Sequence, residues 1–271
     1  METTDYLESA RSTFTWWIDS VNKRFGRPWK RDLITLFGYM SSWKTEFTYF
    51  VSRKNAEQWN KVCYISLELP EFDMKLRIAR KRAWISKEDA QTGNYSLSQK
   101  EMVNKEMDKM NKLENLYIIK PEDCGMWGIE KVIHEYYDKG CRLFVIDNLD
   151  KIPWNENDNV RQQEISSKLQ DIKNEFNICI ILIHHAKKPY NSVQQYMPAG
   201  MAWLRGTQKI LDNSTQVFEV YRDLDPENNE PESKARVTLY QYKDTFEWAN
   251  GCVDIYFNKW DYTEKWIGQQ N

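Results

Sequence analysis

Gly38-Tyr39-Met40-Ser41-Ser42-Trp43-Lys44-Thr45 matches a phosphate-binding loop in all but one position. An apolar run, Leu33 to Phe37, leads into it, and Phe47, Phe50 and Val51 follow at helical spacing. The Walker A motif requires that order of strand, loop and helix, because backbone N–H groups and a helix N-terminus must converge on phosphate oxygens. In such a loop Lys44 reaches the β/γ oxygens and the Thr45 hydroxyl ligates Mg2+, while Gly38, Ser41, Ser42 and Trp43 contribute the enclosing backbone. The motif asks for glycine where Trp43 stands. Strings of this kind arise readily by chance, so the assignment depends on what else the chain carries.

The 271 residues suit one large α/β domain or two small ones. A net charge of −2 gives no global basic field, so any contact with a polyanion must come from a local patch or an assembled surface. Twelve tryptophans are expected mainly as anchors in cores and interfaces. The five cysteines, Cys63, Cys124, Cys141, Cys179 and Cys252, form no CxxC pair, which points to buried reduced thiols rather than disulfides or zinc. The start has neither basic n-region nor apolar h-region, and no stretch approaches eighteen apolar residues. A soluble, cytoplasmic protein with no membrane partner is the expectation.

Apolar runs recur with helical patterns between them. Leu33–Phe37, Lys61–Glu68, Leu116–Ile119, Arg142–Asp147 and Ile178–Ile183 read as strands. Helices are expected after Lys44, through Met74 and Ile78, around Val103 and Met107, through Ile129 to Tyr136, and through Ile165 to Phe176. Short continuous apolar runs alternating with amphipathic helices signify a parallel sheet covered on both faces. Gln216–Tyr221, Arg236–Tyr242 and Val253–Phe257 follow without evident helices between them, which predicts antiparallel strands extending one edge. The acidic, Pro- and Asn-rich stretch 223–234 reads as a solvated hairpin loop. A helical segment over residues 1–24, with its helix at about Asp5–Lys23, precedes a single domain over residues 25–271.

Two further legs of a nucleotide site are legible. Leu143-Phe144-Val145-Ile146-Asp147 is an apolar strand ending in a carboxylate, a Walker B pattern in which Asp147 holds Mg2+ through water beside the phosphate loop. Glu68 ends another strand, where a carboxylate can orient and deprotonate an attacking water; an ordinary acidic strand end is the plainer reading of Glu68 taken alone. His184 and His185 end the next strand. Adjacent strand residues face opposite ways and His134 is distant, so metal binding is disfavoured. His185 as a sensor of the γ-phosphate competes with a plain loop histidine.

With these pieces in order, the chain resembles the RecA-like motor domain of DnaB-type hexameric replicative helicases, over about residues 25–260. Tyr64-Ile65-Ser66-Leu67-Glu68-Leu69-Pro70 resembles the family's segment bearing the catalytic glutamate. Val145-Ile146-Asp147-Asn148-Leu149 resembles its Walker B, and Arg161-Gln162-Gln163-Glu164-Ile165-Ser166 its run into the next strand. His184-His185-Ala186-Lys187-Lys188 is similar to the HHxxK string of small plasmid-type helicases. Leu204-Arg205 through Val217, then Tyr221-Arg222-Asp223, resembles the DNA-facing loop and its strand.

The resemblance implies a RecA-like P-loop NTPase fold and a ring, six subunits by expectation, with ATP and Mg2+ between neighbours and single-stranded DNA in the channel. It assigns DNA contacts to Lys187, Lys188, Arg205 and Gly206, in a long loop that also holds Tyr190, Tyr196 and Trp203; solvated charge is the plainer reading of those basic residues. Lys243 stands where a basic residue reaches a neighbour's nucleotide, but the family's Lys-x-Arg pair is here Gln241-Tyr242-Lys243, without the forked guanidinium. Trp43 leaves three readings open: an altered, weaker loop, an indole turned outward, or an indole packed on a base. The family's helical primase-recruiting domain has no counterpart before residue 25, so primase or another replication partner stays an expectation, as does a bacterial, plasmid or phage origin. A RecA-like ATPase without unwinding activity, and a nucleotide-binding-deficient ring or DNA-binding scaffold, are the alternatives to a helicase.

Overall fold

The strand runs expected in the parallel sheet are apolar through their centres, and the reason is visible in where alternate side chains go. The computed structural model describes residues 14–152, 158–188, 196–204, 208–223, 230–245, 251–258 and 261–267. Strands β1 (Leu33–Gly38), β2 (Val62–Ser66), β3 (Leu116–Ile119), β4 (Leu143–Asp147) and β5 (Cys179–His185) are nearly all buried on both faces. Along β1, Ile34 and Leu36 enter one core while Leu33 and Phe37 enter the other, the period-two split of a doubly covered sheet. The first core is closed by α1 (Asp19–Phe25), α2 (Lys44–Glu57) and α3 (Glu71–Arg82). The second lies under α6 (Met126–Asp138), which follows α4 (Lys87–Thr92) and α5 (Leu97–Asn111), and under α7 (Asp158–Glu175). A fully buried side chain such as Phe144 is worth about 1.5–3 kcal/mol, and its truncation to alanine about 3–5.

The sheet has nine strands in the order β3-β2-β4-β5-β1-β6-β7-β8-β9, completed by β6 (Gln216–Tyr221), β7 (Arg236–Asp244), β8 (Gly251–Asn258) and β9 (Asp261–Thr263). The β4–β5, β5–β1 and β1–β6 pairs are all parallel, so β1 has parallel neighbours on both sides. Here the structure corrects an expectation. β6 is a sixth parallel strand, and the antiparallel set begins only at β7. The cause is α8 (Gln208–Asn213), a six-residue helix too short to show a period, which carries the chain back to run β6 alongside β1. A second short helix, α9 (Pro231–Ala235), occupies part of the expected hairpin loop.

The N-terminal segment also differs from its reading. Its helix covers Asp19–Phe25, residues 14–18 are not helical, and residues 1–13 lie outside the described residues. Trp17 has φ +61°, in the left-handed region that a right-handed helix excludes. The Asn55 side chain takes both polar backbone groups of Thr15, accepting from its N–H at 3.1 Å and donating to its carbonyl at 2.8 Å. Phe14, Trp16, Ile18, Val21 and Phe25 are all buried in the first core, and Trp16 packs edge-on against Phe218 with centroids 5.4 Å apart. All five cysteines are free thiols, with Cys63, Cys141 and Cys179 buried. Among the described residues no helix is long and apolar enough to cross a membrane.

Candidate active site

The carboxyl ends of β1, β2, β4 and β5 meet at one edge of the sheet, and the predicted chemistry collects there. β1 ends at Gly38, where a Cβ would stand 2.4 Å from the Val220 carbonyl oxygen and 2.8 Å from Ser42 Oγ, so only glycine fits. The loop turns back through Ser41 and Trp43, both at φ +66°, and α2 starts at Lys44. The N-terminus of this fourteen-residue helix therefore opens on the loop, as an anion site requires. Lys44 is 5% exposed, and its ammonium lies inside the loop, donating to the carbonyls of Gly38 at 2.9 Å and Tyr39 at 2.7 Å. Burial lowers its pKa to about 8, against the pull of Asp147, Asp150, Glu46 and Glu68.

Left-handed backbone at position 43 explains why the motif asks for glycine: an L side chain there costs about 1–2 kcal/mol. The indole of Trp43 has an anchor to offset that cost. The Arg222 guanidinium stacks over it at 3.6 Å, and the Phe257 ring lies 5.1 Å away at 55°. The indole is half-buried against the first core, on Arg222 just beyond β6 and Phe257 of β8, a packing that none of the three readings of Trp43 anticipated.

Thr45 and Asp147 come together as predicted. The Thr45 hydroxyl donates to Asp147 Oδ2 at 2.8 Å, and the Tyr64 hydroxyl donates to the same oxygen at 2.7 Å. Burial raises the Asp147 pKa, a cost that a cation beside it would relieve. A hydroxyl and a carboxylate at a strand tip beside a phosphate loop fit Mg2+, which takes few protein oxygens and completes its shell with phosphate and water. Tyr64 is a contributor that sequence reasoning missed, since nothing in its strand pattern says that its hydroxyl reaches β4.

Glu68, just past β2, and His185, at the end of β5, are brought together by a residue not anticipated. Asn148 Nδ2 donates to Glu68 Oε1 at 2.9 Å and lies 3.3 Å from His185 Nε2. Lys151 Nζ is 3.7 Å from the same Glu68 oxygen. Burial, then Lys44, lowers the His185 pKa to about 4, so the imidazole is neutral at pH 7. His184 faces away, fully buried, with Nδ1 3.1 Å from Asp150 Oδ2. The only signal for Asn148 was its place directly after Asp147.

The remaining predicted residues are more dispersed. Lys187 and Lys188 are exposed just beyond β5, while Arg205 and Gly206 lie outside the described residues. Described parts of that loop are tied to the site's edge. Ala186 bridges to Leu204 and donates its N–H to the Gly38 carbonyl at 3.0 Å. Glu219, fully buried on β6, accepts from the N–H groups of Ala199 at 2.5 Å and Gly200 at 2.9 Å and from the Tyr242 hydroxyl at 2.8 Å. Lys243 sits on β7 beside Val217, and its ammonium donates to the carbonyls of Leu211 at 2.6 Å and Asp212 at 3.0 Å, the end of α8 in the same chain.

A model of the DnaB-like helicase C terminal domain family matches residues 19–258. No curated protein matches the chain. Among solved structures, an ATPase domain superposes with a TM-score of 0.80 at 16% identity, covering 97% of this chain and 95% of that one. A DnaB-like replicative helicase, described with its interactions with primase, gives 0.79 at 17% identity; 96% of this chain matches 66% of that longer one. The RadB recombinase gives 0.55 at 13% identity, covering 93% and 99%. At these identities the likeness is one of fold, and the fold is RecA-like.

Proposed function

The chain belongs to the DnaB-like helicase C-terminal domain family, and from that premise we propose that it is an ATP-dependent DNA helicase that moves along single-stranded DNA as a homohexameric ring during replication. The observation that carries the chemistry is the convergence of Lys44, Thr45, Asp147, Glu68 and His185 at one sheet edge. ATP occupies the loop Gly38–Thr45, enclosed by the amides of Ser41, Ser42 and Trp43. Thr45 and Asp147 hold Mg2+, which when bound neutralises phosphate charge.

Glu68 takes a proton from the water that attacks the γ-phosphorus; the bond from that phosphorus to the β-bridging oxygen breaks, and ADP leaves. Lys44, already charged at pH 7, stabilises the charge that spreads over the phosphoryl oxygens. His185 senses whether the γ-phosphate is present. From the end of β5 the chain enters the stretch with Lys187 and Lys188, and with Arg205 and Gly206 at its far side, to which we assign the DNA. Six copies would concentrate there a positive charge that the overall −2 conceals. Lys243 is assigned to the neighbour's nucleotide, which requires it to leave the Leu211 and Asp212 carbonyls. Residues 1–24 are proposed to link subunits, residues 25–271 to form the motor, and primase or another replication protein to be a further partner.

The test is ATP hydrolysis with and without single-stranded DNA, on protein whose mass is measured by light scattering, beside strand displacement from a forked duplex. Lys44→Ala and Glu68→Gln each abolish turnover, and Glu68→Gln still binds ATP. Robust hydrolysis by either variant overturns the assignment. Hydrolysis without strand displacement leaves a DNA-dependent ATPase, and no nucleotide binding by calorimetry leaves a scaffold.

A further inference from the structure

Asn148 is 2% exposed, and one of its amide protons is directed at Glu68 while the nitrogen also lies within reach of His185. The amide orientation follows from chemistry: turned over, its oxygen would face the Glu68 carboxylate, two acceptors with no proton between them. An NH2 group only donates, so His185 Nε2 is the acceptor, and the ring proton resides on Nδ1. The neutral imidazole, with its pKa lowered to about 4, is consistent with that arrangement.

Two atoms of this trio, Asn148 Oδ1 and His185 Nδ1, are buried with no hydrogen-bond partner among the described residues. The place of Asn148 is explained by the two groups that it joins.

We propose that Asn148 is a positioning residue: its single amide clamps the Glu68 carboxylate and the His185 imidazole together, so that the base and the phosphate sensor move as one unit. The inference rests on the proposed ATPase reading for the roles of Glu68 and His185. A change at the γ-phosphate that turns the imidazole pulls the amide, and the amide carries the carboxylate into or out of line with the water. Loss of the amide leaves both groups present and separately adjustable.

Two measurements test it. The chain has three histidines, so selective 15N labelling of His side chains resolves each ring. In the unsubstituted protein the His185 ring shows the Nδ1–H tautomer, as does His184, whose Nδ1 faces the Asp150 carboxylate, and the signal lost in His185→Gln identifies the His185 ring. Asn148→Ala converts that ring toward the Nε2–H form with His134 and His184 unchanged; a tautomer that does not respond overturns the clamp. In turnover, Asn148→Ala lowers kcat about 100-fold, the loss expected when a reacting group is misplaced by about 1 Å. Nucleotide affinity by calorimetry is unchanged, and Asn148→Gln recovers part of kcat. An unsubstituted protein that hydrolyses ATP alongside an inactive Glu68→Gln and a fully active Asn148→Ala overturns the clamp and leaves the ATPase reading standing. Unsubstituted protein that hydrolyses nothing overturns both.

Discussion

Replacing Trp43 by alanine and by glycine separates two opposing effects that the structure places on one residue. Alanine keeps the left-handed backbone cost of about 1–2 kcal/mol and loses the indole's contacts. Those contacts are the Arg222 stack at 3.6 Å, worth about 0.5–1 kcal/mol, and the Phe257 pair at 5.1 Å, worth about as much again. Trp43→Ala is therefore about 2 kcal/mol less stable than the natural protein. Glycine loses the same contacts but relieves the backbone, and after its larger chain entropy is counted it recovers about 1 kcal/mol. The order of stability is Trp, then Gly, then Ala. Urea unfolding followed by far-UV circular dichroism, which does not depend on the tryptophan removed, reads each difference, and a 1 kcal/mol step moves Tm by about 2 °C. Arg222→Ala, made both with Trp43 intact and together with Trp43→Ala, closes a cycle with a coupling of about 1 kcal/mol. Equal stability of the glycine and alanine variants, with no coupling to Arg222, would refute the account. Because the indole lies on Arg222 and Phe257 rather than in the loop, Trp43→Gly leaves nucleotide affinity within about tenfold, or about 1.4 kcal/mol. A gain much larger than that would mean the ring obstructs the phosphates.

Further expectations concern charge and coupling. Free Lys44 titrates near 8, so nucleotide affinity falls by about tenfold per pH unit above that value, as calorimetry between pH 7 and 9 will read; a flat profile contradicts a buried ammonium as the phosphate ligand. The sign for folding is opposite. Between 8 and 10.5 the unfolded chain holds more protons at this lysine than the folded one, so the nucleotide-free protein gains stability from Lys44 as pH rises through that window. Glu219→Gln replaces one acceptor oxygen with a donor, facing either the Ala199 amide or the Gly200 amide and Tyr242 hydroxyl; it lowers stability by about 1–3 kcal/mol and removes stimulation of hydrolysis by DNA, and full stimulation would detach Glu219 from the loop. Lys243→Ala loses a cap on the last carbonyls of α8, about 0.5–1 kcal/mol. If its role between subunits is real, it also poisons hydrolysis when mixed with unsubstituted protein, and turnover that merely tracks the fraction of active chains opposes that role.

The parts legible in the sequence are those in which neighbours along the chain share one environment. β1 reads as Leu33–Phe37 and spans Leu33–Gly38, because a strand buried on both faces is apolar at nearly every position, and β3, an edge strand with alternate residues half-buried, is still a short apolar run that reads with its observed limits. Thr45 beside Asp147 is legible because strand tips at one edge of a parallel sheet meet whatever their distance in sequence. The direction of β6 is not, since it depends on a six-residue helix with too few turns to reveal a face. Asn148, Arg222 and Glu219 escape sequence reasoning for a different reason. Each acts through a partner at least twenty residues away, and composition and period describe only a residue's own surroundings. The helix expected from Asp5 meets a local obstacle: Trp17 takes a positive φ, and Thr15 is held by side chains rather than by helical carbonyls.

The outermost strands are brief, four residues in β3 and three in β9. A ribbon that ends so abruptly gives a second molecule little unpaired backbone to align with, and stacking of copies sheet to sheet is disfavoured from the start. In the ring proposed above, contacts between copies would then fall to side chains on helices and connecting segments. Such contacts could loosen and re-form as each copy changed its nucleotide, without breaking a continuous ladder of main-chain bonds.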